Sequence, residues 1–108
     1  MGNDKLLYLS AKDVEQTRVS TSQIIEALED AYNQKGMSKT QVPAKIGIYP
    51  QPNSLIHAMP AHIEKTNAAG MKWVSAFSDN YKYDKPQINA LVILNDSLTG
   101  MPYCIMDG

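Results

Sequence analysis

A single lysine, Lys72, lies inside the apolar run AAGMKWVSAF, residues 68–77. If this run forms a β-strand, side chains alternate between its two faces, and Lys72 shares a face with Val74 and Ala76 rather than with other charged residues. One interpretation is structural: the lysine stem covers apolar surface while the ammonium reaches water. The other is functional: an ammonium held in a partly dry cleft can bind an anion or transfer a proton.

A second lysine presents the same choice one strand earlier, in TQVPAKIGIY. Alternation places Lys45 on one face of that strand and four apolar residues on the other, namely Val42, Ala44, Ile46 and Ile48. Two lysines on adjacent sheet elements can converge on one carboxylate, although spacing alone does not bring them together. Met59 is either a packing residue or part of the lining of the same cleft.

The two histidines do not suggest a metal centre. His57 and His62 are five residues apart with Pro60 between them, which matches no common ligand pair, and the lone Cys104 is distant in sequence. We therefore expect no metal site. The sequence also contains no dinucleotide fingerprint, no phosphate-binding loop and no Ser/His/Asp order, so no complete catalytic constellation is present.

Aromatic and charged residues alternate in the segment SDNYKYDKPQ, as they do in proteins that bind single strands. The aspartates of this segment cancel much of its positive charge, so we interpret it as a mobile loop.

Composition sets the remaining limits. The chain has 108 residues, 44% of them hydrophobic, and a net charge of −1, which is typical of one soluble globular domain. The absence of clustered Lys and Arg argues against nucleic acid as a partner. No apolar stretch is long enough for a membrane span, and the N-terminal MGNDKL has no signal-peptide core. The lone Cys104 excludes an internal disulfide. We therefore expect a cytoplasmic protein with no membrane partner.

Two helices must begin the domain. Ser10 with Asp13 caps a short helix, AKDVEQ, after the strand-like LLYL, and Ser20 with Gln23 caps a longer one that Gly36 should stop.

After Gly36 the apolar period changes from 3.6 to 2, which predicts strands. TQVPAKIGIY is one strand, LIHAM is a second that stops at Pro60, and GMKWVSAF is a third. INALVILN is apolar on both faces, as in a central strand covered on both sides, and DSLTG joins it to MPYCIM as a hairpin. The predicted fold is α+β, with two N-terminal helices beside a largely antiparallel or mixed sheet.

The order of several short motifs resembles one known family. LLYLSAKDV, VPAKIGI, HAMPA, AAGMKWVSAF, ALVILND, TG and MDG follow one another as in the N-terminal part of the ornithine cyclodeaminase/mu-crystallin family, across essentially the whole chain. Members have a substrate-binding and dimerisation domain before an NAD(P)-binding Rossmann domain, and they move a hydride between NAD(P) and the α-carbon of an amino acid or cyclic imine.

The resemblance assigns roles to three residues. It implies that Lys72, in the family's G-x-K motif, contacts the substrate carboxylate and takes part in catalysis. Lys45 lies where many relatives carry a carboxylate-binding arginine, and Met59 matches a methionine beside the substrate. Lysine gives a point charge where arginine gives a bidentate fork, so the substrate need not be ornithine.

The resemblance also predicts what residues 1–108 lack. Relatives continue beyond MDG into another carboxylate-binding arginine, a glycine-rich nucleotide loop and a catalytic aspartate. We therefore expect residues 1–108 to be a partial substrate-binding and dimerisation domain, inactive alone and without cofactor, cut before the Rossmann domain of a cyclodeaminase-like oxidoreductase or lyase that acts as a homodimer. The alternative is a non-enzymatic dimerisation or small-ligand-binding module of the mu-crystallin type. A glycine-rich fingerprint after Gly108 would favour the enzyme, and a stop codon the module.

Overall fold

The computed structural model describes residues 5–108, which form two α-helices, one 3₁₀ helix and a seven-stranded mixed sheet. This confirms the predicted α+β class. The first four residues, part of the N-terminal segment without a signal-peptide core, lie outside the described residues. The elements are β1 Leu7–Leu9, α1 Ala11–Gln16, α2 Thr21–Gly36, β2 Thr40–Gln41, β3 Ile46–Ile48, β4 Ser54–Ile63, β5 Ala68–Phe77, the 3₁₀ helix Ser78–Tyr83, β6 Ile88–Asp96 and β7 Pro102–Asp107.

Both α-helices begin at the predicted capping boxes. The Ser10 hydroxyl accepts from the Asp13 N–H at 3.2 Å, and the Asp13 carboxylate accepts from the Ser10 N–H at 2.9 Å. Ser20 and Gln23 repeat this exchange at 3.1 and 2.7 Å. Each box satisfies backbone donors that a helix start leaves without partners, so the two start positions follow directly from the sequence.

The end of α2 differs from the prediction. Gly36 is the last helical residue rather than the residue that stops the helix, and Met37 is its C-cap. The left-handed position falls on Ser38, whose φ is +60°. The next N–H, that of Lys39, donates to the Gln34 carbonyl at 2.9 Å, which closes the helix without a glycine in the left-handed region.

The sheet is antiparallel except at one edge. Its order is β1-β7-β6-β5-β4, with β2 and β3 both pairing with β4, and within the described residues only the β1–β7 pairing is parallel. β6 is an interior strand and forms the predicted hairpin with β7.

The strands around β4 differ from the prediction in two ways. β4 continues through Pro60 to Ile63 because β2 pairs beyond Pro60 and β3 pairs before it, so neither requires an N–H from the proline. The predicted single strand TQVPAKIGIY is two short strands separated by residues 42–45. The alternation that placed Val42 and Ala44 with the isoleucines therefore does not run unbroken through that segment.

The segment SDNYKYDKPQ is also more regular than the predicted mobile loop. Residues 78–83 form the 3₁₀ helix, which ends at Asp84 in the left-handed conformation with a φ of +55°. The Asp84 N–H donates to the Tyr81 carbonyl and the Lys85 N–H to the Asn80 carbonyl, so local backbone hydrogen bonds order the segment.

The sheet is left largely open. Among residues 5–108, Cys104 is the only buried apolar residue. The radius of gyration is 15.9 Å, against about 13 Å for a compact domain of this length. β6 is central as predicted, but neither of its faces is covered within the described residues, because α1 contacts β1 and β7 while α2 contacts β2. No helix within residues 5–108 is both long and apolar enough to cross a membrane.

Candidate functional site

A shallow apolar bowl lies on one face of the sheet and carries Lys72 at its rim. Its volume is about 220 Å³, below the usual range for drug-sized ligands. We call this side of the sheet the Lys72 face and the other side the Trp73 face. The bowl is lined by Met59, Ala61 and Ile63 of β4, Ala68, Ala69, Gly70, Met71 and Lys72 of β5, and Val92 and Leu94 of β6.

The strand register brings Lys72 and Met59 together. Met59 pairs with Lys72 across β4 and β5, and Val92 pairs with Lys72 across β5 and β6. Directly opposed side chains in an antiparallel pair have Cβ atoms about 5 Å apart. Met59 and Lys72, two of the predicted site residues, are therefore in side-by-side positions.

Gly70, two residues before Lys72 on the same face, allows β5 to approach β6 closely. A Cβ at this position would overlap the Ile93 carbonyl oxygen and lie 3.2 Å from Leu94 Cδ2. Because the obstructing atom belongs to the backbone, a side-chain rotation cannot relieve the overlap. The close approach of the two strands therefore requires a glycine at this position of the G-x-K motif. The missing side chain also leaves space for the bowl that Gly70 lines.

The Lys72 ammonium has no anionic partner among the described residues. The ion pairs within residues 5–108 join Lys65 to Asp30 at 2.9 Å and Lys82 to Asp79 at 3.8 Å. Lys72 is exposed rather than shielded in a partly dry cleft, because no element formed by residues 5–108 covers the Lys72 face. A cation without a partner at the rim of an apolar bowl suits a small ligand with one anionic and one apolar end.

Lys45 lies close in the fold but outside the bowl. It is exposed, it immediately precedes β3, and it is absent from the bowl lining. The structure therefore brings two of the three predicted site residues side by side and leaves the third on the neighbouring edge.

The two histidines lie on opposite faces of β4, because an odd separation along one strand reverses the side-chain direction. His57 pairs with Val74 on the Lys72 face, and His62 pairs with Ala69 on the Trp73 face. Within residues 5–108 no three His, Cys, Asp or Glu side chains are grouped as a metal site would require.

The Asp96 carboxylate, at the start of the β6–β7 turn, accepts hydrogen bonds from backbone N–H groups of that turn. Its Oδ1 atom accepts hydrogen bonds from the Thr99 N–H at 3.0 Å and the Leu98 N–H at 2.8 Å. These two backbone donors hold the pKa of the carboxyl below its ordinary value. The carboxylate stabilises the turn and is not directed at the Lys72 ammonium.

Most of the lining was not predicted as part of the site, including Val92 and Leu94 of β6. Their signal was present in the alternation of INALVILN, but assigning them to the bowl requires the β5–β6 register, which pairs Val92 with Lys72 and Gly70 with Leu94.

Comparison with known proteins finds relatives that are similar in sequence and in structure. The chain is 37% identical over 100 residues to the nodulation efficiency protein NfeD of Rhizobium meliloti, covering 93% of this chain and 31% of that protein. A structure of Thermococcus litoralis Δ1-pyrroline-2-carboxylate reductase, in complex with NADH and L-proline, matches with a TM-score of 0.89 and 34% identity, covering 95% of this chain and 32% of that one. An archaeal alanine dehydrogenase dimer with bound NAD matches with a TM-score of 0.86 and 33% identity, covering 94% and 31%.

The chain thus spans about a third of the length of these relatives. The sequence profile of the ornithine cyclodeaminase/mu-crystallin family matches residues 4–108, nearly the whole chain. This chain belongs to the ornithine cyclodeaminase/mu-crystallin family.

Proposed function

We propose that residues 1–108 are the substrate-binding and dimerisation domain of an NAD(P)-dependent enzyme that acts on an amino acid or cyclic imine. The observation that carries the proposal is the Lys72 ammonium at the rim of a small apolar bowl, which has no ion-pair partner within residues 5–108. The activities named for the similar proteins support it, since one is a pyrroline-2-carboxylate reductase and another an alanine dehydrogenase.

In this proposal Lys72 binds the substrate carboxylate. The ammonium offers three N–H donors and a positive charge, and charge-assisted hydrogen bonds to a carboxylate are about twice as strong as neutral ones. Met59, Val92 and the glycine surface at Gly70 contact the apolar part of the substrate. The small bowl favours a substrate with a short or cyclic carbon skeleton over one with a long side chain.

The described residues do not fit the nucleotide. A pyrophosphate is usually held by a glycine-rich turn that leads into a helix N-terminus. Both α-helices here start at serine caps, where the N–H of the serine and the N–H three residues later are already bonded to side chains, and neither start carries a glycine. We therefore propose that NAD(P) is bound by residues of the full-length protein outside this chain.

Dimerisation would use the Trp73 face. The Lys72 face must stay open for the substrate, and the opposite face carries exposed apolar side chains, including Trp73, Leu91 and Ile46. Exposed apolar patches larger than a few hundred Å² mark interaction sites in ordinary proteins.

The experiment that tests the proposal is substitution of Lys72 in the full-length protein. Lys72→Ala should remove most turnover of the amino acid or imine substrate, while Lys45→Ala should mainly raise the KM. Melting temperatures should barely change, because Lys72 has no ion pair to lose within residues 5–108. Lys72→Arg tests whether charge alone suffices.

Lys82→Ala is the matched control, since Lys82 is another exposed lysine but lies on the 3₁₀ helix. Near-normal turnover in both Lys72 variants, or activity lost only through unfolding, would make Lys72 a structural residue. In that case the proposed function would be wrong.

A further inference from the structure

The exposed methionines of residues 5–108 are Met37, Met59 and Met101, and of these only Met59 lines the bowl. The Met59 side chain is 36% exposed, against 48% for Met101, which immediately precedes β7. Peroxides oxidise a methionine thioether to the sulfoxide wherever they reach the sulfur. Met59 is therefore an accessible thioether in the wall of the candidate site.

Met71, the other methionine of the lining, differs from Met59 in its direction and exposure. It immediately precedes Lys72 on β5, so alternation directs its side chain to the Trp73 face. It is also half-buried rather than exposed. Met59, in contrast, is directly opposite Lys72 and shares its face. Met59 is thus the methionine whose oxidation changes the surroundings of the Lys72 ammonium.

A sulfoxide at Met59 would supply the hydrogen-bond acceptor that the bowl lacks. Apart from Lys72, every side chain of the lining is apolar, and the ammonium has no ion-pair partner within residues 5–108. Opposed Cβ atoms are about 5 Å apart, and both side chains are long and unbranched. We propose that Met59 is a reversible oxidation site, and that its sulfoxide oxygen accepts a hydrogen bond from the Lys72 ammonium and thereby closes the bowl to anionic ligands.

The oxidation step uses hydrogen peroxide as the oxidant. A lone pair of the Met59 sulfur attacks one peroxide oxygen, the S–O bond forms and the O–O bond breaks. The leaving hydroxide takes the proton of the transferred oxygen, so the products are the sulfoxide and one water molecule. The sulfur loses two electrons and the peroxide gains them. Methionine sulfoxide reductases reverse the step with electrons from thiols, one enzyme for each sulfoxide epimer.

Oxidation changes the bowl in two ways at once. The sulfoxide oxygen competes with a ligand anion for the Lys72 ammonium, and a polar group replaces an apolar one in the wall. Both changes weaken the binding of a ligand with one anionic and one apolar end. This effect on the ligand rests on the proposed function, whereas the oxidation of Met59 and its contact with Lys72 do not.

Lysine acylation tests the contact without any ligand. Full-length protein is treated with hydrogen peroxide, peptide mass spectrometry locates the sulfoxides, and acetic anhydride then labels the lysines. Acylation needs the neutral amine, and the new hydrogen bond stabilises the ammonium. Lys72 should therefore react at least about fivefold more slowly after oxidation, as expected for one hydrogen bond. Lys82, on the 3₁₀ helix, is the internal reference.

The slower labelling of Lys72 should be absent from oxidised Met59→Leu and present in oxidised Met101→Leu, the matched control for an exposed methionine outside the bowl. Treatment with both sulfoxide reductases should restore the original rate. The proposal is overturned if Met59 stays reduced while Met37 and Met101 are oxidised. It is equally overturned if Met59 sulfoxide forms and the labelling of Lys72 does not change.

L-Proline binding tests the consequence for the ligand, with each variant compared with its own untreated sample. Peroxide should raise the Kd at least about fivefold in the wild type and in Met101→Leu, because the same hydrogen bond must be broken before the carboxylate binds. Met59→Leu should change less than twofold, and melting temperatures should show that every sample stays folded. An equal loss of affinity in Met59→Leu would overturn the proposal. Slower labelling of Lys72 together with no L-proline binding in the untreated wild type would support the oxidation site and remove support for the proposed function.

Discussion

Trp73→Asp should separate the proposed dimer into monomers. The described surface area is 8371 Å², whereas a compact protein of 12.0 kDa exposes about 6,000 Å². The excess of about 2,400 Å² is larger than the roughly 800 Å² that each partner contributes to a standard interface. The chain as a whole therefore exposes more excess surface than one partner of a standard dimer interface needs.

The effect of one substitution follows from the exposure of Trp73, which is 41%. A tryptophan side chain can bury about 200 Å², so the interface would remove about 80 Å² of it from water, worth about 2 kcal/mol. An aspartate left unpaired at that place adds about 1–3 kcal/mol of desolvation cost. A symmetric interface contains the substitution twice. The dimer Kd should therefore rise by at least about 100-fold.

Sedimentation equilibrium over a wide micromolar range measures this change directly. Tyr81→Asp is the control, because Tyr81 is an exposed aromatic residue of the 3₁₀ helix rather than of the sheet face. A monomeric wild type would refute the dimer. A Trp73→Asp variant that stays dimeric, while Val92→Asp on the Lys72 face dissociates, would show that the wrong face was chosen.

Three further substitutions test other parts of the structure. Gly70→Ala should lower the free energy of unfolding by about 2 kcal/mol or more in urea titrations, because its Cβ would overlap a backbone carbonyl, whereas Gly36→Ala should not destabilise. Ser20→Ala should cost about 1 kcal/mol of helix stability. Because α2 packs little on the sheet, we expect this loss as faster amide hydrogen exchange in the first turn of α2. The control Ser22→Ala should leave the exchange rate unchanged. Asp96 has a lowered pKa, so its stabilising effect is complete above the ordinary carboxyl pKa near 4 and is lost as the pH falls through the folded-state value. Asp96→Asn, which keeps an acceptor for the turn, should therefore lose less stability than the wild type below about pH 4 in acid titrations of the folded state; equal acid sensitivity would contradict this assignment.

Local rules predicted the helices and the strand faces well. The capping boxes at Ser10 and Ser20 require only residues three positions apart, and both helix starts are confirmed. The faces of β5 followed from simple alternation, which correctly separated Lys72 from Trp73. These features depend on contacts within a few residues, which a single sequence contains.

Features that depend on pairing partners could not be predicted in the same way. Pro60 indicated the end of a strand because a proline lacks an N–H, but β2 and β3 leave that position of the β4 edge unpaired, so the strand continues. The closeness of Met59 and Lys72 depends on the β4–β5 register, which the early end at Pro60 concealed. The pairs Gln41–His62 and Ile46–Ala58 enclose four residues on the β2–β3 side and three on β4, a difference that likewise appears only once both registers are known.

The parallel pairing of β1 with β7 makes the folding order of the domain unusual. Leu7 pairs with Cys104, 97 positions later in the chain, so β1 is synthesised almost first yet has no partner until the last strand has formed. Contacts between residues so far apart in the chain slow folding. The intervening chain must lose conformational entropy before the pairing contributes any favourable free energy. The β4–β5 and β6–β7 hairpins close over short turns and form a template, to which β1 adds at the end. Because Cys104 is only 4% exposed in the completed sheet, the loss of its thiol reactivity during refolding would time this final step.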